Sequence, residues 1–387
     1  MSQIATFDYL LVGGGLQNGL IAMALLEHRP AARFAIVERD HRLGGNHLWC
    51  FHARDLPPDA TGFVTPLVAH RWPAYQVLFP DLTRRMDVEY LGITSDRLHQ
   101  VLSQRVGASA GSTIFFGAAV EQVTASSVTL ADGRALQGTL VIDSRGPERL
   151  QAPGRLAYQK FIGLEVALAE PQPAFLPRLM DAQVPQTDGY RFLYTLPLAP
   201  DRFLVEDTYY ADGPQLDRDQ IRADILAYAE RIGLPVKDVV REESGVLPLT
   251  SRSLGKPVRD GVLVGGYAGG WFHPTTGYSF PVALRLARHL ASVDPRQPFG
   301  KPWDQLIAHR QSQAKYFNLL NRFLFGAIPP ADRRSAFELF YRQPAETILR
   351  FYAMDLTMTD RLRPFLGRPP RGLTLRGTLA ALLPRKA

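Results

Sequence analysis

An apolar run that breaks into three consecutive glycines constrains this chain more than any other feature. Asp8-Tyr9-Leu10-Leu11-Val12 reads as a buried strand, Gly13-Gly14-Gly15-Leu16-Gln17-Asn18-Gly19 as a turn, and Leu20-Ile21-Ala22-Met23-Ala24-Leu25-Leu26 as the helix that follows. Glycines there bring the main chain close to a polyphosphate, and the helix N-terminus meets its charge. A second strand, Arg33-Phe34-Ala35-Ile36-Val37, delivers Glu38, 23 positions beyond Gly15. An acid at that distance grips the ribose hydroxyls in a βαβ dinucleotide site. The pattern therefore predicts a bound dinucleotide rather than a bare strand–helix turn. Asn18 stands where a third glycine is usual and Gly19 comes one residue late, which predicts looser packing of helix on strand.

The 387 residues suffice for two lobes or for a main domain with an insertion. No run of about 18 apolar residues predicts a spanning helix. The N-terminus has no basic start of a signal peptide, and Cys50 is the single cysteine, so an internal disulfide and a Cys/His zinc site are both excluded. The cytoplasm is the default address. The net charge of +7 owes much to arginines near the C-terminus. No nucleic-acid motif accompanies them, so anionic lipid headgroups or plain water are the expected partners of that face.

Further along, Leu43-Gly44-Gly45-Asn46-His47 forms a glycine hinge. His47 and His52 have neither helical nor metal-pair spacing and read as packing or hydrogen-bonding residues. Thr94-Ser95-Asp96 predicts a helix start, and Ala131-Asp132-Gly133-Arg134 a hairpin turn. Leu140-Val141-Ile142-Asp143 is another buried strand. Asp143 at its end either orients a loop near the cofactor or caps that loop. Residues 161–166, 191–194 and 202–206 fit one antiparallel sheet, interrupted by a helix near 217–232. Beyond residue 310 three aromatic clusters, around Phe317, Phe337 and Phe351, interleave with arginines. Such helices either lie in a membrane interface or cap a core.

Two stretches carry candidate chemistry. Phe203-Leu204-Val205-Glu206-Asp207-Thr208 sets two carboxylates at the end of an apolar strand. Burial there would raise a carboxyl pKa and keep an acid protonated near neutrality; exposure would leave both as ordinary solvated acids. Gly269-Gly270-Trp271-Phe272-His273-Pro274-Thr275-Thr276-Gly277-Tyr278 lies between a strand and a helix, a second setting for a phosphate or a flavin ring.

Over nearly its whole length the chain resembles the bacterial lycopene β-cyclases of carotenoid biosynthesis. The resemblance rests on the Val12–Leu16 turn, Gly44-Gly45-Asn46-His47, Asp143-Ser144-Arg145-Gly146, Phe161-Ile162-Gly163-Leu164-Glu165, Met180-Asp181-Ala182 and Gly245-Val246-Leu247-Pro248. Most specific are Glu206-Asp207-Thr208 and Phe272-His273-Pro274-Thr275-Thr276-Gly277-Tyr278. The layout is more distantly similar to flavin monooxygenases, but Gly266 stands where their second loop usually carries an acid, and Ser279 replaces a glycine.

That resemblance implies an α/β (α+β) fold: a Rossmann-like FAD-binding domain (residues 1–70, 90–157 and 250–310), an inserted antiparallel-sheet substrate domain (71–89 and 158–249) and a membrane-facing helical region (311–387). It implies cyclisation of lycopene or other acyclic carotenoids, with reduced FAD, NAD(P)H as electron donor and no net redox change. The flavin would be held by Gly13, Gly14, Gly15, Leu16, Asn18, Glu38, Val120, Asp143 and Gly146, with Thr275, Thr276, Gly277 and Tyr278 facing its ring. Glu206 would donate the proton, Asp207 would hold it or share its proton, and His273 would take the last proton. Trp271 and Phe272 would line the substrate pocket. Peripheral attachment to the cytoplasmic side of the membrane and association with other carotenoid enzymes complete the expectation. A redox flavoenzyme acting on an apolar isoprenoid is the alternative; a non-catalytic lipid- or protein-binding module on the same scaffold has no positive support.

Overall fold

A computed structural model describes residues 6–146, 154–251 and 255–382. Its first sheet is parallel at heart. Strand Thr6–Val12 lies between Ala135–Asp143 and Phe34–Val37, with Thr113–Phe115 beyond the latter and Val262–Val264 beyond the former, all parallel. Both faces of these strands are covered, so they read as unbroken apolar runs rather than alternating ones. Helices Leu16–His28, Ser95–Gly107 and Phe280–Ser292 pack on one face around Leu20, Ile21, Leu98 and Leu286. The Asp132-Gly133 hairpin forms as the sequence predicts, joining Ser127–Leu130 to Ala135–Asp143.

Asn18 alters the packing argument. It is fully buried, its amide donates to the carbonyls of Val12 and Gly13 at 2.9 and 2.8 Å, and its oxygen accepts from the Ser144 hydroxyl. Instead of loosening helix against strand, it pins them. The late Gly19 still supplies close approach: a Cβ there would stand 3.0 Å from Leu98 Cδ1.

The second sheet has seven strands in the order Val236–Thr250, Arg155–Leu168, Arg202–Ala211, Tyr190–Ala199, Arg178–Asp181, Tyr75–Phe79 and Leu82–Met86. All its pairs are antiparallel except that of Arg178–Asp181 with Tyr75–Phe79. One face packs Leu164, Leu193 and Phe203 under helix Arg218–Arg231. The other presents Tyr190, Phe192 and Tyr210 to Phe337, Tyr341 and Ile348 of the C-terminal helices. A small antiparallel sheet, Leu48–His52, Tyr90–Thr94 and His70–Trp72, lies between the lobes.

The C-terminal helices depart from expectation. Phe317, Phe337, Tyr341 and Ile348 are core residues. Arg333 is buried too, bonded to Asp212 and the Leu324 carbonyl. The exposed apolar side chains come later, on Met358–Leu366 and Leu375–Leu382: Met358, Leu362, Phe365, Leu366, Leu379 and Leu382. Among the described residues no helix is long and apolar enough to cross a membrane.

Candidate active site

The glycine turn has the chemistry a dinucleotide asks for. Gly13 adopts φ +94°, and a Cβ on it would meet the Ser144 carbonyl at 3.1 Å. Gly15 precedes helix Leu16–His28 without any side-chain cap, and no atom lies within 4 Å of where its Cβ would stand. The first turn of that helix therefore keeps free N–H donors beside open space. Glu38 follows its strand as expected, accepting the Gly14 N–H at 2.6 Å and the Asp40 N–H at 3.0 Å. Asp143 ends its strand with both oxygens bonded by the Arg145 guanidinium, which also reaches the Val120 carbonyl. Gly146 is the last described residue of that turn.

Glu206 sits in the middle of its strand rather than at its end, because the β-forming Thr208, Tyr209 and Tyr210 continue the ladder to Ala211. Side chains alternate along a strand, so Glu206 and Asp207 face opposite sides of the sheet. Asp207 does not hold Glu206. It is fully buried on the far face, where Arg191 Nε and Nη2 bond it at 3.0 and 2.6 Å and Tyr209 donates to it at 3.0 Å.

The partner of Glu206 is a residue the sequence reading passed over. In register, Gly163 lies between Glu206 on one side and Glu243 on the other. All three point to the same face. A Cβ at Gly163 would lie 3.2 Å from Glu243 Cγ and 3.4 Å from Glu206 Oε2, so only a glycine leaves room for two carboxyls to lean together. Burial, then the neighbouring Glu243, pushes the Glu206 carboxyl up to about 8. Burial likewise pushes Glu243 up to about 7, against the pull of Arg241 and the Leu48 N–H. Two crowded, dry carboxyls cannot both ionise near neutrality, so the pair keeps a proton there. A visible signal existed: Glu242-Glu243 stands one residue before the Gly245-Val246-Leu247-Pro248 motif.

The pair looks toward the strand Leu48–His52. Glu243 accepts the Leu48 N–H, and both carboxyls act on the half-buried Cys50 thiol, which Tyr90 also touches. Beyond it is a small, partly enclosed cavity of about 40 Å³ walled by tyrosines 75, 90, 194, 278, 341 and 352, with His52, Leu179 and Thr276. Its rings pack closely: Tyr75 to Tyr90 and Tyr278 to Tyr352 are each 5.7 Å between centroids. Tyrosine rings crowded round one cavity can offer π faces to a cation.

The second glycine loop is split between roles. Thr276 and Tyr278 reach the cavity. Thr275 donates its N–H to His273 Nδ1, and Gly277 accepts from Tyr267. His273 stacks between Phe317 and Phe351 at 4.0 and 4.8 Å and does not line the cavity; burial holds its ring neutral. Trp271 and Phe272 are also structural. Trp271 donates to the Val264 carbonyl beneath Arg310, and Phe272 packs on Tyr267. Aromatic character alone could not separate these core rings from cavity rings.

A parallel sheet with a glycine turn, joined to a large antiparallel sheet, defines a Rossmann-like flavoprotein fold. A solved structure described as a probable FAD-dependent monooxygenase from Pseudomonas aeruginosa overlays with a TM-score of 0.60 at 17% identity, covering 87% of this chain and all of that one. The chain belongs to the lycopene cyclase family, whose model (lycopene cyclase protein) matches residues 8–376. It is 41% identical over 369 residues to a lycopene beta-cyclase of Pseudescherichia vulneris, covering 94% of each chain. It is 39% identical over 368 residues to that of Pantoea ananas, covering 94% of this chain and 95% of the relative. The sequence-derived family and α/β fold class are thereby borne out.

Proposed function

We propose that this protein cyclises lycopene, through γ-carotene to β-carotene, by adding one proton per ring and losing another, with no net redox change. The observation that carries the reading is the Glu206–Glu243 pair, crowded together across Gly163 next to a tyrosine-lined cavity. A hydrocarbon offers nothing to hydrogen-bond, so shape and apolar contact must seat it. Glu206, kept protonated by burial and by Glu243, donates to the terminal double bond. The tertiary cation so formed is attacked by the neighbouring double bond, closing a six-membered ring. The tyrosine faces steady that cation.

The turn Gly13–Leu16 with Asn18 and Glu38 would hold the adenosine diphosphate part of FAD, Val120, Asp143 and Gly146 would flank it, and the loop Thr275–Tyr278 would face the ring. Bound there and reduced by NAD(P)H, FAD would supply negative charge to steady a cation. Free helix-turn donors, the open space at Gly15 and the FAD-dependent structural relative support this cofactor.

Lycopene dissolves in lipid, and the last two helices offer an attachment surface. Leu362, Phe365, Leu366, Leu379 and Leu382 are exposed there, accompanied by exposed Arg363, Arg368, Arg371 and Arg376. Apolar side chains with an arginine fringe suit an anionic bilayer surface. Asp360 anchors the patch, bonded by Arg350 at 2.7 and 2.8 Å and capping its helix through Thr357. Attachment is thus peripheral, on the cytoplasmic side, where other carotenoid enzymes would hand over substrate. Replacing Glu206 by Gln tests the reading: ring formation should stop while flavin still binds, and retained β-carotene formation would refute the acid role.

A further inference from the structure

Cyclisation as read above leaves one proton without an acceptor. A ring cation becomes a neutral ring only when a hydrogen leaves a carbon next to the cationic centre. Among the cavity's lining side chains, the tyrosine hydroxyls are pushed up by burial and stay protonated, Tyr352 at about 12, and Thr276 and Leu179 are not bases. His52 is left. Burial drives its ring far below the usual imidazole range, to about 3, so it rests neutral with a lone pair available.

Its two nitrogens have different surroundings. Nε2 turns to the cavity, 3.1 Å from the Tyr75 hydroxyl. Nδ1 stands on the Asp55 side, 3.9 Å from a carboxylate oxygen of that residue. Asp55 is itself held in place by the Tyr278 hydroxyl at 2.7 Å and the His52 N–H at 3.1 Å. For Nε2 to accept a proton, the resting ring hydrogen sits on Nδ1 and faces the fixed Asp55 carboxylate, which then balances the charge of the imidazolium. Nucleophile–base–orienter constellations use the same geometry, and their bonds commonly tighten only when the reacting species is present.

We infer that His52 removes the proton from the ring cation at Nε2, with Asp55 opposite Nδ1 to balance the imidazolium charge. The inference rests on the cyclase reading. In this step the C–H bond at the ring-junction carbon breaks, its electron pair becomes the ring double bond, and the proton goes to Nε2. A carbocation is so strong an acid that a weak base suffices; the position of the base, not its strength, selects which neighbouring hydrogen is lost. The strand sets that position. Cys50 and His52 share a face of Leu48–His52, Cys50 lies under the influence of Glu206 and Glu243, and His52 is two residues on, about 7 Å along the strand.

His52→Gln and Asp55→Asn in the full-length flavin-loaded protein test this, with lycopene supplied in phospholipid vesicles and ring types resolved by chromatography and mass. His52→Gln should turn over at least tenfold more slowly, and at least a tenth of its rings should carry the double bond elsewhere, as ε-type or exocyclic-methylene ends. Asp55→Asn should shift ring type in the same direction by less. Exclusively β-type rings from His52→Gln, whether slow or fast, overturn the inference, because a packing role changes rate without changing which hydrogen leaves. If His52→Gln fails to bind flavin, Asp55→Asn decides by the same criterion. A wild-type protein that forms no rings refutes the cyclase reading itself; wild-type β rings with unaltered ring type in the variants refute only the role of His52.

Discussion

Replacing Glu243 by Gln isolates the electrostatic half of the carboxyl pair. Gln keeps the volume and an oxygen for the Leu48 N–H but removes the charge. The two side chains crowd the position of a Gly163 Cβ at 3.2 and 3.4 Å, so they lie at most about 6–7 Å apart. At an effective dielectric of about 20, a charge at that distance raises the cost of ionising Glu206 by about 2.5 kcal/mol, just under two pH units. The Glu206 carboxyl, pushed up to about 8 in the intact pair, should fall toward 6 in the variant and stay above the usual carboxylate range because burial persists. The sign follows from the role of the group: a proton donor works only when protonated, so activity is lost as pH rises through its folded-state pKa. At pH 7.5 the donor form would drop from about three quarters of the molecules to about one in twenty-five, roughly a twentyfold loss of rate, nearly recovered at pH 5.5. The assay is initial ring formation against pH, with flavin content measured at each point. An alkaline limb whose midpoint does not move would refute the coupling of Glu243 to Glu206.

Other consequences are as direct. Gly13→Ala forces a side chain against the Ser144 carbonyl at a φ of +94°, and should abolish flavin retention on gel filtration, as read from the bound-cofactor spectrum; full retention would contradict the phosphate-turn reading. Arg191→Met leaves the Asp207 carboxylate buried with Tyr209 as its remaining donor, and should destabilise the fold by about 3–5 kcal/mol in denaturant titrations; a change under about 1 kcal/mol would show that the pair is not needed. Phe365→Asp with Leu366→Asp should move the protein from sedimenting vesicles to the supernatant, while wild-type binding to anionic vesicles survives high salt in part. Complete release of wild type by salt alone would make the contact purely electrostatic.

What could be read from the chain divides by distance along it. The glycine turn and the strand that delivers Glu38 are legible because they lie within one strand–helix–strand unit. Glu206 was legible as a motif, but its neighbour Asp207 was misassigned by reading adjacency as proximity, when a strand's period of two sends consecutive side chains apart. Glu243 and Gly163 meet Glu206 only through the register of three strands that are far apart in the chain, a constellation with no local pattern. His52 and Asp55 meet locally, three residues apart, but Tyr75 and Tyr278 join them only in the folded chain. In the C-terminal region, arginine and phenylalanine at helical spacing fit a core and a membrane equally well. The fold decides by burying Phe317 and Phe337 and leaving Phe365 and Leu366 outside.

The most direct test of the account is anaerobic incubation of the purified protein with lycopene in vesicles, FAD and a chemical reductant, with products separated by chromatography and weighed by mass spectrometry. Proton-initiated isomerisation predicts a product of unchanged mass, absorbing at shorter wavelength, formed without continuing consumption of reductant. A product of altered mass, or turnover that tracks reductant, would contradict it and leave Glu206 without a proton to give.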